Sequence, residues 1–196
     1  MFIAVPDEST IDGDVAAWYQ RQRDSWGYLP NYAPAFANRP DVAEAWNGLN
    51  GAIRRNMDHR RYEIATIAAA REYRSTYCMA AHSKFLRDNH GDEPTMLVLA
   101  ADPSGADLDA TDRAVMEFAS QVARDAAAVT QADVQRLRDH GLSDSDVVDV
   151  ALAAAARAFF TKFLDALGVQ ADVQLGETFE PDVRRQVTVG RPIAEE

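Results

Sequence analysis

The only cysteine of this chain, Cys78, lies in the stretch STYCMAAH beside groups that could make it reactive. Ser75 precedes it by three residues and His82 follows it by four. If Ser75 caps a helix, Cys78 lies in the first turn, where unpaired N–H groups and the helix dipole favour an anion. His82 then lies on the same face, within reach of the thiol proton directly or through one water. The stretch therefore predicts a thiol of lowered pKa with an imidazole base.

A carboxylate that could orient this histidine is Glu63, fifteen residues before Cys78. We expect a helical hairpin that turns near Arg74 and carries Glu63 on its first helix. In such a hairpin Glu63 is offset from His82 by about one helical turn, ~4.5 Å along the axis. The spacing therefore assigns Glu63 to His82 rather than to Cys78, in the order thiol, imidazole, carboxylate.

Each of these residues also has an ordinary structural interpretation. A lone cysteine on an alanine-rich helix commonly serves only to pack the core. Glu63 could form an exposed ion pair, and Ser75 could act as a helix cap and nothing else. Cys78, His82 and Glu63 could also ligate zinc, although zinc sites usually have a clearer ligand spacing. We expect neither a metal nor a cofactor.

Composition and charge exclude several classes of function. The formal net charge is −11, which disfavours nucleic acid and anionic membranes as partners. One cysteine excludes an intrachain disulfide and suits the reducing cytoplasm, where we expect the protein. The start, MFIAVPDEST, lacks the basic region of a signal peptide, and no stretch reaches the ~18 apolar residues of a membrane span.

Helical periodicity extends over almost the whole chain and, with abundant alanine, predicts an all-α fold. We expect one domain over 1–196, with an extended lead over 1–11 and a helical core over 12–168. The tail, 169–196, is expected to be irregular and could dock on another subunit. Capping boxes, Ser143 with Asp146 among them, predict where helices begin. The predicted helices span 12–26, 39–55, 60–74, 75–89, 93–101, 110–126, 130–140 and 144–167.

Glu63, Ser75, Cys78 and His82 together resemble the E-x11-C-x2-C-x3-H motif of alkylhydroperoxidase D-like (AhpD-like) proteins in the carboxymuconolactone decarboxylase superfamily. The segments LPNYAPAFANRPDVAEAW, DRAVMEFASQV and DVQRLRDHGLSDSDVVDVALAAAARAFFTKFLDALGV resemble the peroxidase-related branch, so the resemblance covers about residues 15 to 170. It implies a multi-helix bundle built around the motif's two-helix hairpin, and homo-oligomers, with a dimer favoured and a trimer or hexamer as alternatives. It also implies thiol-dependent hydroperoxide reduction, with Cys78 attacking the peroxide and His82 and Glu63 relaying protons.

One position departs from that motif, because Ser75 stands where the first cysteine would be. Members with both cysteines can close a disulfide after the attack, and this chain has no second thiol to do so. A sulfenic acid on Cys78 would need an external thiol as reductant. Ser75 could still donate a hydrogen bond to the thiolate and favour its ionised form.

Three functions are consistent with the sequence. The first is a one-cysteine thiol peroxidase whose partners are a small-molecule hydroperoxide and a thiol reductant. The second is a decarboxylase-type lyase on the same fold, in which His82 or Glu63 acts as acid or base and Cys78 only lines the pocket. The third is a non-catalytic oligomeric member of the fold. A Cys78 pKa well below the ~8.5 of free cysteine would favour the first.

Overall fold

The computed structural model describes residues 1–102 and 104–195, and all regular elements in those ranges are helices. The all-α prediction is therefore confirmed. Ten α-helices follow one another, joined by loops and short 3₁₀ turns. They are α1 (Gly13–Trp26), α2 (Pro40–Asn56), α3 (His59–Glu72), α4 (Thr76–His90), α5 (Glu93–Ala101), α6 (Ala110–Asp125), α7 (Gln131–Asp139), α8 (Asp144–Ala166), α9 (Val173–Glu177) and α10 (Pro181–Val187).

The eight helices expected before residue 168 all form, with ends within two residues of the predicted ones. Local capping explains much of this agreement. The Ser143 hydroxyl accepts from the Asp146 backbone N–H, and the Asp146 carboxylate accepts in return from the Ser143 N–H, so α8 begins where the capping box predicted.

Helix α3 lies at the centre of the bundle, packed against α4, α6 and α8. Every residue from 62 to 70 of α3 is buried, so this helix has no solvent face over more than two turns. Four alanines in that stretch let the neighbouring helices approach closely. A helix surrounded in this way is a rigid support, and it holds Glu63 in the interior of the protein.

The α3–α4 hairpin turns at Arg74, as predicted, and this residue adopts a left-handed conformation with φ of 55°. Such a conformation costs a non-glycine residue of order 1 kcal/mol or more, so the surrounding structure must hold it. Gly190, in the carboxyl-terminal segment, packs against this turn. Its backbone N–H donates to the Thr76 hydroxyl at 3.0 Å, and a Cβ at Gly190 would collide with the Arg74 carbonyl oxygen.

The expectation of an irregular tail is wrong over 173–187, because two short helices, α9 and α10, form there. The tail packs on its own chain, where Val187 and Ile193 are buried. Asp172 accepts from the Asn31 backbone N–H at 2.6 Å and from the Tyr28 and Tyr77 hydroxyls. These contacts span the chain and hold the tail beside the start of α4. Docking on another subunit stays a prediction.

Leu49 of α2 is 52% exposed, although Trp46 and Ile53 at helical spacing on either side of it are buried. Because α2 lies at the edge of the bundle, its apolar face is wider than the surface that covers it. Within the described ranges, no helix combines the length and apolarity that crossing a bilayer requires.

Candidate active site

A cavity of about 1060 Å³ opens between α1, α2, α3, α4, α8 and α9, and two of the four predicted site residues line its wall. Cys78 and His82 both line it, one turn apart on α4. Cys78 is only 1% exposed, so its sulfur is reached from the cavity rather than from the protein surface.

Glu63 is paired with His82, as the hairpin geometry predicted. The carboxylate Oε2 lies 2.5 Å from the imidazole Nδ1, and both side chains are buried. The other ring nitrogen, Nε2, faces Nη1 of Arg157 at 3.2 Å. A guanidinium can only donate, so Nε2 must accept and Nδ1 must carry the proton that it donates to Glu63. The contacts thus select one neutral tautomer, with a lone pair on Nε2 at the cavity.

The imidazole is held in its neutral form. Burial lowers the pKa of His82, and the positive charges of Arg157 and Arg54 act in the same direction, while the contact with Glu63 opposes them. The buried position decides the direction because the protein interior does not solvate a charged ring as water would. A neutral imidazole is the form that a general base requires, and here its Nε2 lone pair accepts a hydrogen bond from Arg157.

The predicted lowering of the Cys78 pKa is wrong for the resting structure. Burial raises the pKa of the Cys78 thiol, and the charge of Arg157 and the nearby Ser75 hydroxyl offset part of that rise. Cys78 does occupy the third position of α4, where the helix dipole favours an anion. Loss of solvent outweighs the dipole because tertiary packing encloses the sulfur. The resting thiol is therefore protonated at neutral pH.

Ser75 is the N-cap residue of α4, as predicted, but its side chain does not cap the helix. The Ser75 hydroxyl is buried, and its Oγ has no hydrogen-bond partner within the described residues. The expectation that the Ser75 side chain caps the helix is therefore wrong. A buried hydroxyl without a partner costs free energy, so Ser75 retains an uncommitted donor beside the thiol.

Neither a protein-family model nor a curated protein matches this chain in sequence. Solved structures do match. One, described as an alkylhydroperoxidase AhpD core and an uncharacterized peroxidase-related protein from Ralstonia eutropha JMP134, aligns with a TM-score of 0.80. It is 24% identical, and the alignment covers 89% of this chain and 93% of that one. An uncharacterized peroxidase-related protein from Silicibacter sp. TM1040 aligns with a TM-score of 0.79 at 21% identity, over the same shares.

This chain has the AhpD-like fold. At such identities the likeness establishes the fold alone, and it confirms the architecture that the motif implied. A third structure, of the debrominase Bmp8, aligns with a TM-score of 0.71 at 15% identity over 95% of this chain and 96% of that one. It was solved as a cysteine-to-alanine variant in complex with 2,3,4-tribromopyrrole. The AhpD-like fold therefore occurs in proteins described by different activities.

Sequence reasoning missed three residues that this AhpD-like bundle places at the site. Arg157 of α8 contacts His82, and its Nη2 donates to the Asn50 side-chain oxygen at 2.8 Å. The Tyr62 hydroxyl donates to the same Asn50 oxygen at 2.7 Å. A signal for Arg157 was present in the sequence, because it is a lone charge in the apolar run VALAAAARAFF. A charge in such a run is costly unless it has a role in the interior.

The zinc alternative finds no support in the described residues of this fold, which contain no group of three His, Cys, Asp or Glu side chains that could hold a metal ion. The imidazole Nδ1 is already bound to Glu63, and Nε2 faces a cation. Both ring nitrogens are therefore committed to protein partners, and a metal would have to displace one of them.

Proposed function

We propose that this protein is a thiol-dependent oxidoreductase of the peroxidase type, with Cys78 as its reacting thiol. The observation that carries the proposal is the Glu63–His82–Arg157 chain, which presents a neutral base and a cation at the cavity that holds the sole thiol. The peroxidase-related description of two structural neighbours agrees with it.

The first step moves the thiol proton to Nε2 of His82, and the Arg157 N–H that this nitrogen accepts must turn away to make room for it. No hydrogen bond joins Sγ directly to the imidazole among the described residues, so the transfer passes through a water or the bound substrate. The neutral pair becomes a thiolate and an imidazolium. Glu63 stabilises the imidazolium through Nδ1, and Arg157 stabilises the thiolate. Cys78 and His82 are neutral at rest, and their ionised forms are stabilised only because Glu63 and Arg157 already lie in place.

The thiolate then attacks the outer oxygen of a hydroperoxide. The S–O bond forms as the O–O bond breaks, Cys78 becomes a sulfenic acid, and the leaving alkoxide takes the proton from His82 as an alcohol. The hydroperoxide is reduced by two electrons and the sulfur is oxidised by two. Ser75, with its uncommitted hydroxyl, is placed to donate to the sulfur or to the new oxygen.

An external thiol must complete the cycle, because this chain has one cysteine. The first thiol molecule attacks the sulfenic acid, releasing water and leaving a mixed disulfide on Cys78. A second thiol molecule attacks that disulfide and restores the free thiol, and the two thiols leave as their own disulfide. We expect a small thiol, since the sulfur is reached only through the cavity.

Intact mass measurement after limited peroxide tests the proposal. We expect one added oxygen on Cys78, removed by a small thiol, and loss of hydroperoxide turnover in Cys78→Ser. His82→Ala should slow the oxidation, whereas His59→Ala, an exposed histidine at the same cavity, should leave it unchanged. Hydroperoxide turnover that survives in Cys78→Ser would refute a thiol enzyme.

A second candidate is thiol-dependent removal of a halogen from an aromatic ring. The aromatic wall of the cavity, which includes Trp46, Tyr62 and Phe160, favours it, as does the likeness to a debrominase structure. One aromatic bromide and two thiols would give the debrominated ring, a disulfide and hydrogen bromide. Release of bromide from a brominated pyrrole, absent in Cys78→Ser, would select this reaction over peroxide reduction.

A further inference from the structure

The charges on the cavity wall differ from those of the chain as a whole. The sequence holds 31 acidic and 20 basic residues. Among the described residues that line the cavity there is no Asp or Glu, while five are Arg or Lys. These five are Arg21, Arg54, Arg55, Lys84 and Arg157. Carboxylates are thus absent from the described lining of this cavity, although the chain as a whole is acidic.

Two of these cations, one buried and one partly buried, have no carboxylate partner among the described residues. Arg157 is 3% exposed, its Nε is buried without a hydrogen bond, and its other contacts are His82 and Asn50. The Nε of Arg54 is likewise buried and unpartnered. Both guanidinium groups lie against the ring of Tyr62, with their central carbons 5.1 Å (Arg54) and 5.9 Å (Arg157) from its centroid. Two like charges at one ring repel each other, and an anion between them would remove that cost.

Part of the wall is formed by aromatic rings. Trp46 and Phe160 stack with their centroids 5.4 Å apart and their planes within 17°, and Arg157 lies over Trp46 at 5.0 Å. Tyr32 packs edge-on against Phe160 at 5.4 Å. Such surfaces favour a planar ring or a conjugated chain. The cavity volume, about 1060 Å³, lies at the upper end of those that take drug-sized ligands, and is far larger than hydrogen peroxide needs.

We propose that this cavity binds an organic anion with a flat aromatic or conjugated body, its anionic group on Arg157 and Arg54 and its body against Trp46 and Phe160. This assignment rests on the proposed function, because it names the substrate class of the Cys78 site. The anionic group fixes the position of the substrate, and the body covers the part of the cavity that leads to the Cys78 thiol. Two of the outer cations are already paired, Arg21 with Glu44 and Lys84 with Asp88, so they hold the anion less strongly.

Calorimetry with a matched pair of probes tests the assignment. The anion is 1-naphthoate, and its neutral analogue is 1-naphthalenemethanol, which has the same ring system. We expect naphthoate to bind with a Kd about tenfold or more below that of the alcohol, and added salt to weaken only naphthoate. Equal affinities, or no binding of naphthoate, would overturn the proposal.

Variants place the binding in this cavity. Arg54→Gln should raise the Kd of naphthoate about tenfold and leave that of the alcohol unchanged. Arg39→Gln makes the same change of charge on an exposed residue that pairs with Asp41 and does not line the cavity, and it should change neither Kd. Naphthoate should also slow the alkylation of Cys78 by iodoacetamide. Equal effects of the two variants, or unprotected alkylation, would contradict binding at this wall.

These measurements are independent of the redox reaction, because they use the reduced protein without peroxide. If Cys78 forms a sulfenic acid but naphthoate does not bind, the substrate class is wrong and the proposed function stands. If naphthoate binds and Cys78 resists peroxide, the cavity assignment stands and the peroxidase mechanism is wrong.

Discussion

Two arginines of this protein, Arg60 and Arg157, lie in opposite electrostatic surroundings. Arg60, at the start of α3, donates to Asp92 at 2.6 Å and to both carboxylate oxygens of Asp112 at 2.8 and 2.5 Å. These carboxylates raise its pKa further above its ordinary value. Arg157 lies deeper in the bundle and has no carboxylate partner among the described residues; its polar contacts are an imidazole nitrogen and an amide oxygen.

The difference separates a cation that stabilises the fold from one that is available to a ligand. Arg60 joins the starts of three helices, and each of its three guanidinium nitrogens donates a hydrogen bond. Arg157 retains positive charge in a place where solvent is excluded, and electrostatic interactions are strong there. A buried cation without a counterion is an expensive arrangement, which suggests that it is retained for a negative charge supplied during function.

The largest effect should come from Arg157→Gln. We expect the rate of Cys78 alkylation at neutral pH to fall about hundredfold, equivalent to about 2.7 kcal/mol, because the thiolate loses its cation. Thermal stability should hold or rise, since an unpaired buried charge is removed. The rate is measured by mass spectrometry with iodoacetamide and Tm by calorimetry. A large fall in Tm with an unchanged alkylation rate would show that Arg157, like Arg60, stabilises the fold and does not act on the thiol.

Arg60→Gln should have the reverse effect. It leaves Asp92 and the buried Asp112 without their cation, so we expect the free energy of unfolding to fall by about 2 kcal/mol. Alkylation of Cys78 in the folded protein should change little. Urea denaturation measures the first quantity and iodoacetamide the second. Arg124→Gln, which breaks an exposed pair with Glu72, is the control and should cost less than about 1 kcal/mol.

Asn50→Asp would give Arg157 a carboxylate partner, as Arg60 has, with almost no change in the shape of the side chain at position 50. The new carboxylate lies where the Asn50 oxygen already accepts from Arg157 and Tyr62. We expect it to neutralise Arg157, to raise the Cys78 pKa and to slow alkylation about tenfold. An unchanged pH profile of alkylation would show that the charge of Arg157 does not act on the thiol.

The smallest effect concerns pH. Burial lowers the pKa of His82, so its contribution to stability is complete above the unfolded value of ~6.5 and is lost as pH falls below it. The Asp92 pKa is lowered by Arg60, so that pair loses stability only in more acidic solution. We expect Tm to decline from about pH 6.5 downwards, and less steeply in His82→Gln. The same slope in both proteins would contradict a buried neutral imidazole.

The parts of the site that could be predicted from the sequence depend on local spacing. Glu63 and His82 meet because one tight turn fixes the register of two helices, and both helices have clear signals. Arg157 could not be placed, because its contact with His82 depends on how α8 packs against a hairpin 75 residues away. The Cys78 pKa was predicted in the wrong direction because the dipole of α4 is a local property, whereas burial arises from the whole bundle.

Gly190 and the turn at Arg74 connect the carboxyl-terminal segment to the first residues of the thiol-bearing helix. The segment and the sulfur are therefore mechanically coupled, although they are far apart along the polypeptide. Proteolytic clipping near Gly190, or an affinity tag fused beyond it, would act as an unintended active-site alteration. Kinetic comparisons between preparations should therefore keep that end of the protein identical.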